Sequence, residues 1–325
     1  MKLLSLVFSF RNEESNLNEL MSRLNSSLKK ISGWNFEYIF VNDDSDDNSE
    51  KILIELQKLY PIKIINLSRR FGVGPGILAG LKHSKGDALV YMDSDLQDPP
   101  ELIPALIEKF ENGADVVHTK RTKRLGESRI KIFFTGIAYR IINITSSLSL
   151  PVEAGDFKLL SRKVVNHINS LIEYDPYVRG LSVWIGFKQD FVKYVRESRA
   201  SGTTNFFTLR RLLSTQLTEF SRAITGFSTG PLYLGIFIGM LAIIFSIFLI
   251  VYALYLKLSG IAVAGTSGII ITISFFSGVI LTTIGIIGVY VAKIFEQTQG
   301  RPRYIVKNII EQKIEKMDKS NIQED

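Results

Sequence analysis

The chain has 325 residues, 46% of them hydrophobic, with 39 basic and 32 acidic side chains giving a formal charge of +7, and no cysteine. The missing cysteines exclude disulfides, thiolate metal sites and cysteine nucleophiles, while His83, His118 and His167 form no zinc-binding motif. No serine nucleophile elbow or phosphate-binding lysine loop occurs, which leaves chemistry carried by carboxylates, arginines and a hard cation.

Residues 1–8 have some apolar character but stop at Arg11 without a small-residue cleavage site, so they read as a first β-strand rather than a signal segment. Strand-like runs follow at Leu3–Phe8, Phe36–Val41, Lys63–Leu67, Ala88–Met92 and Val116–Thr119. Helical patterns over Ser15–Lys29, Ser49–Tyr60, Gly76–Ser84 and Pro99–Asn112 alternate with them. That order predicts an α/β fold, an open and mostly parallel Rossmann-like sheet covered on both faces, with ligands outside the carboxyl ends of the strands.

Two amphipathic segments come next, near 129–148 and 206–227, each with an apolar stripe beside basic residues such as Arg129 and Lys131 or Arg210 and Arg211. They are expected to lie in an anionic membrane interface. Between Gly230 and Ala292 the sole charge is Lys257, so spans are expected at about 231–256 and 268–292, joined by a short loop. Lys and Arg crowd the outer flanks of this hairpin, placing both termini and residues 1–228 in the cytoplasm, with 294–325 as a cytoplasmic tail. The recurring Gly278, Gly285 and Gly288 suit helix packing in a homo-oligomer.

The polar clusters Arg11–Glu14, Asn42–Ser45, Arg69–Arg70 and Asp93–Asp95 each begin where a strand stops, so a parallel sheet gathers them along one edge. In Asp93-Ser94-Asp95, two carboxylates on alternate residues at a strand end suit an oxygen-seeking divalent cation. The stretch continues as Leu96-Gln97-Asp98-Pro99-Pro100 and resembles the D-A-D-L-Q-D-P-P signature of family 2 glycosyltransferases of the polyprenyl-phosphate type. Asn12-Glu13-Glu14, Val41–Ser45, Leu67–Gly72, Ala154–Arg162 and Arg179–Leu181 are similar to further motifs of that family. Ser9, Arg11, Asp44 and Val73-Gly74-Pro75 depart from its pattern around the expected nucleotide pocket.

The resemblance implies a GT-A type fold and assigns roles by matching position. Asn12, Glu14, Asp43, Arg69 and Asp93 would bind the nucleotide-sugar, and Asp93, Asp95 and Gln97 would hold Mg²⁺ or Mn²⁺. Helix capping or turn chemistry is the competing, lesser reading for Asn12 and Asp43. Asp156 matches a position assigned to a catalytic base, but a lipid phosphate with a second pKa near ~6 is already mostly dianionic. Base, positioning group and loop support therefore all remain open for it. Arg121, Arg124, Lys131 and Arg199 are the cations expected to meet the acceptor phosphate.

The expected activity is inverting, metal-dependent transfer of one sugar from a UDP- or GDP-sugar to a polyprenyl phosphate, undecaprenyl phosphate by expectation, at the inner membrane. No nucleic-acid partner is expected. The alternatives are a non-catalytic scaffold or sensor on the same fold, and an oxidoreductase suggested by the G-x-G-x-x-A pattern at Gly74–Ala79. A processive synthase would carry a Q-x-x-R-W motif, which is missing.

Overall fold

The computed structural model describes residues 1–124, 154–174, 176–196, 226, 230–260 and 265–311. Both amphipathic segments, with Lys131 and Arg199, lie outside the described residues. The N-terminal half alternates as expected: β1 (Lys2–Phe10), α1 (Leu17–Leu28), β2 (Trp34–Asn42), α2 (Ser49–Leu56), β3 (Ile62–Leu67), α3 (Val73–His83) and β4 (Ala88–Asp93). A 3₁₀ turn over Pro100–Leu102 leads into α4 (Ile103–Glu111), then β5 (Val116–Arg124), β6 (Ala154–Ser161), α5 (Arg162–Ser170), α6 (Val178–Trp184) and β7 (Gln189–Arg196). Two long helices, α7 (Gly230–Leu258) and α8 (Thr266–Thr298), precede β8 (Val306–Glu311).

The strands form one sheet in the order β7-β5-β6-β4-β1-β2-β3-β8. The pairs β1–β2, β1–β4, β2–β3 and β5–β7 are parallel, whereas β6 runs antiparallel to β4 and β5, and β8 antiparallel to β3. The chain winds outward through β1, β2 and β3, then returns to lay β4 on the other side of β1. That reversal opens a crevice at the carboxyl ends of β1 and β4, the usual ligand position in an open α/β sheet.

Period-two alternation divides the core between the two faces. Leu4, Leu6, Phe8 and Phe10 of β1 pack with Leu17, Leu20 and Leu24 of α1, while Val7 joins Ile39, Ile65, Ile77 and Leu78 on the α3 face. Phe8 stacks on Phe40 with ring centroids 4.7 Å apart. On the α3 face the helix approaches β1 without intervening side chains: a Cβ at Gly76 would fall 2.2 Å from Ser9 Oγ, and one at Gly80 2.2 Å from Val7 Cγ1. Gly76 of the G-x-G-x-x-A pattern, with Gly80 one turn on, thus serves helix-on-sheet packing.

Two boundaries differ from expectation. The basic run Lys120–Arg124 does not follow the fifth strand but continues it, because Lys120, Arg121, Lys123 and Arg124 pair with Lys193, Tyr194, Val195 and Arg196 of β7. The segment after the second apolar helix is not merely a tail: Val306–Glu311 adds to the sheet edge along β3. Long apolar windows cover Gly230–Leu256, with mean hydropathy 3.0, and Phe275–Thr298, with mean hydropathy 2.1, each enough to cross a bilayer.

Candidate active site

The loops at the carboxyl ends of β1 and β2 are tied together by the residues expected to meet the nucleotide. Asn12 adopts φ 57°, its amide donates to Asp46, and its Oδ1 accepts from the Asp46 N–H at 3.0 Å. Glu14 Oε2 accepts from the Asn48 N–H and side-chain amide at 3.0 and 3.1 Å, just ahead of α2. Asp43 is buried, and its two oxygens accept from the N–H groups of Phe71 at 2.6 Å and Gly72 at 2.9 Å, which fixes the entry to α3. The exposed Arg69 stacks over Phe71, its guanidinium carbon 4.0 Å from the ring centroid. Asp44, where the family has a turn glycine, takes φ 61°, and aspartate is among the few residues that tolerate that conformation.

β4 delivers the D-x-D. Asp93 ends the strand, Ser94 is buried beneath the turn, and Asp95 Oδ1 accepts from the Gln97 N–H at 3.2 Å. The turn is held by Leu96, which takes φ 60° with its side chain 1% exposed in the core. Among the described residues no group of three or more histidines, acids or thiols gathers as a self-sufficient metal cage. Two carboxylates at the open end of a strand do fit a Mg²⁺ or Mn²⁺ completed by diphosphate oxygens and water.

The next motif residue, Asp98, is wholly buried. The Tyr194 hydroxyl donates to it, the Arg121 Nε donates to Tyr194 Oη at 2.9 Å, and Arg121 Nη2 lies 3.5 Å from Asp98 Oδ2. Arg121 is therefore held from behind by a carboxylate of the D-x-D turn. Its guanidinium faces Gly155, where a Cβ would come within 2.9 Å of Nη2, so a larger residue there would make the arginine shift.

Antiparallel pairing sets Tyr91 of β4 opposite Lys158 of β6, and two positions farther along these strands stand Asp93 and Asp156. Asp156 is gripped by Arg179 of α6, whose Nε donates to Oδ1 at 3.1 Å and whose Nη2 donates to Oδ2. The Asp156 side chain is 31% exposed. Burial would raise its pKa, but Arg179, then Lys158 and Arg121, hold it below the ordinary aspartate value. A carboxylate so stabilised favours its charged form and is a weak proton acceptor.

Sequence reasoning assigned no function to Lys158 and Arg179, although both stand in quoted motifs. Lys158 is fully enclosed; its Nζ donates to Ser182 Oγ at 2.9 Å, and Ser182 Oγ donates to the Arg179 carbonyl at 2.8 Å. Burial, opposed by Asp156 and aided by Arg179, brings its pKa from an ordinary 10.5 to about 7. Of the four expected acceptor cations, the described residues bring only Arg121 to this centre with its side chain. Arg124 is described as backbone of β5, and Lys131 and Arg199 lie outside the described residues.

Residues 5–168 match the family model described as "Glycosyl transferase family 2". The Bacillus subtilis protein "Uncharacterized glycosyltransferase YkcC" is 39% identical over 93% of each chain. The "Bactoprenol glucosyl transferase" of Shigella phage SfX is 34% identical over 94% of this chain and 99% of its own. Among solved structures, a glucosyl-3-phosphoglycerate synthase from Mycobacterium tuberculosis, in complex with Mn²⁺, UDP-Glc and phosphoglyceric acid, is 19% identical over 67% of this chain and 80% of its own, with TM-score 0.45. The chain belongs to glycosyltransferase family 2, and it is a glycosyltransferase.

Proposed function

We propose that the enzyme transfers one sugar, with inversion, from a UDP- or GDP-linked donor to a polyprenyl phosphate of the undecaprenyl type at the cytoplasmic membrane face. The bactoprenol glucosyl transferase at 34% identity supports this acceptor and favours glucose as the sugar. The observation that carries the reading is the pair of anchored arginines at Asp156: Arg179, gripped by that carboxylate, and Arg121, backed by Asp98 and Tyr194. Two guanidiniums held in place from behind suit a site where a dianionic nucleophile meets a departing diphosphate.

In this mechanism a phosphate oxygen of the acceptor attacks the anomeric carbon from the face opposite the leaving group. The bond from that carbon to the diphosphate oxygen breaks, and the nucleoside diphosphate departs with the electron pair. No proton need move, because the acceptor phosphate is already mostly ionised at neutral pH. Asp156 then acts as the anchor that presents Arg179 to the phosphates, and Arg121 is presented likewise by Asp98 and Tyr194. Asp93 and Asp95, with Gln97 beside them, would hold Mg²⁺ or Mn²⁺, which would offset charge on the leaving diphosphate.

Membrane attachment is supported by the two apolar helices and by β8. Since β8 follows α8 yet pairs with β3, a hairpin of two spans would have both outer ends on the side of the catalytic domain.

The reading is tested with detergent-purified protein, undecaprenyl phosphate and a panel of UDP- and GDP-sugars. Turnover should occur with one donor, stop on chelation, and return with Mg²⁺ or Mn²⁺. NMR of the lipid-linked product should show the opposite anomeric configuration to the donor. Asp95→Asn should lower kcat by at least about 100-fold with the melting temperature unchanged, in line with loss of a metal-assisted step. Unchanged transfer by Asp95→Asn would remove the metal role.

A further inference from the structure

We infer that the protein carries a second anionic site, a cleft for the phosphate headgroup of an anionic membrane lipid, built where α8 leaves its apolar stretch and turns toward β8. This inference rests on reading α7 and α8 as membrane spans. The cleft has a volume of about 330 Å³ and is lined by Lys82 of α3, Asn169 of α5, Glu173, Arg301, Arg303 and Tyr304, with Leu78 and Ile172 supplying an apolar wall.

The cleft is separate from the catalytic crevice. Lys82 stands in the last turn of α3, whose first turn is the end fixed by Asp43 near the nucleotide loops. Its walls are also cross-tied. Gln297 donates to the Ile172 carbonyl and accepts from the Tyr174 N–H at 2.8 Å, and Arg303 donates to the Leu171 carbonyl. These bonds fasten the end of α8 to the segment after α5, so the cleft is shaped before any ligand arrives.

Charge, depth and size identify the ligand. Lys82, Arg301 and Arg303 face one acid, Glu173. Burial pulls the Arg303 guanidinium below its ordinary pKa despite Glu173, and burial raises Glu173 despite Arg303 and Lys293. An anion placed beside the arginine relieves the first shift, and a Glu173 already biased toward its neutral acid opposes that anion less than an ordinary carboxylate would. The apolar window of α8 ends at Thr298, so Gln297–Tyr304 stand at the level where lipid phosphates lie. The volume lies at the small end of the ~300–1,000 Å³ range of ligand sites, room for a phosphoglycerol headgroup.

The test uses the full chain in a non-ionic detergent, with retained lipid counted by native mass spectrometry after adding phosphatidylglycerol or phosphatidylcholine. Phosphatidylglycerol should be retained in preference. Reversing two exposed charges in the double variant Lys82→Glu/Arg301→Glu should weaken that retention by about tenfold or more, the weight of a charge-assisted contact. Lys82→Arg/Arg301→Lys should retain it, which separates loss of charge from misfolding.

Equal retention of the two lipids, or undiminished retention by a folded charge-reversed protein, would overturn the inference. Displacement of phosphatidylglycerol by inorganic phosphate at matched concentration would reassign the cleft to free phosphate and overturn the lipid ligand. Displacement by polyprenyl phosphate at stoichiometric amounts would make it part of the acceptor site and overturn its independence. Failure to retain either lipid would also overturn the inference, whereas a chain that stays monodisperse without detergent would remove the membrane-span reading itself, a separate outcome.

Discussion

Lys158 is a cation enclosed in the core, with a serine hydroxyl rather than a carboxylate receiving its bond. Between about pH 7 and its ordinary 10.5, the unfolded chain holds the lysine proton while the native protein has released it. The unfolded state then binds more protons, so this group makes stability rise with pH across that window, and its destabilising effect is complete below it. Melting temperature measured against pH should show this rise, and Lys158→Met should flatten it. Arg179 is the residue on which the acceptor reading turns: Arg179→Lys keeps the charge but loses the two-pronged grip on Asp156. It should lower kcat/KM for the lipid acceptor by about tenfold to a hundredfold, the 1.5–3 kcal/mol of a charged hydrogen bond, while the KM for donor changes little. The sequence singles out Asp95 and Asp156 because their motifs are contiguous. The grip of Arg179 was not, since its partner stands on another element and only the fold brings them together. Asn12, Glu14 and Asp43 were placed at the correct edge, but their bonds to neighbouring loops follow from how the βα turns close, which spacing does not encode.

The first four strands were readable because each is an apolar run bounded by polar turn residues and buried on both faces. β5 was cut short in the sequence reading because its second half is a run of basic residues, yet pairing with β7 keeps it extended through Arg124. β8 reads as a weak strand on its own, with mostly exposed or half-exposed side chains, and is held by partnership with β3. α3 offers a test of packing against propensity. Gly80→Ala would favour an isolated helix by about 1 kcal/mol. Here the added Cβ would stand 2.2 Å from Cγ1 and 3.4 Å from Cβ of Val7, a stiff side chain buried on both sides. Overpacking should win, with a net loss of about 1–3 kcal/mol in chemical denaturation of the detergent-solubilised enzyme. A stabilised variant would mean that α3 can lift from β1.

At the scale of the whole molecule, one sheet is assembled from both sides of the apolar hairpin. β1 to β7 precede α7, and β8 follows α8, so the chain must leave the catalytic domain, pass through two long helices and come back to the same sheet. The positive charges flanking the hairpin independently favour the cytoplasm for that side. The absence of cysteine makes this directly measurable, because any cysteine introduced is the only thiol to label. Asn18 of α1, Lys307 of β8 and Ser259 at the turn after α7 are all exposed. In intact cells, an impermeant maleimide should modify Ser259→Cys and spare Asn18→Cys and Lys307→Cys, and permeabilisation should expose all three. Agreement between Asn18→Cys and Lys307→Cys tests the pairing of β8 with β3 across the hairpin, whereas the contrast with Ser259→Cys tests the spans. Labelling of Asn18→Cys and Lys307→Cys from opposite sides would break the sheet that joins them, labelling of both with Ser259→Cys spared would invert the orientation expected from the charges, and labelling of all three in intact cells would remove the spans.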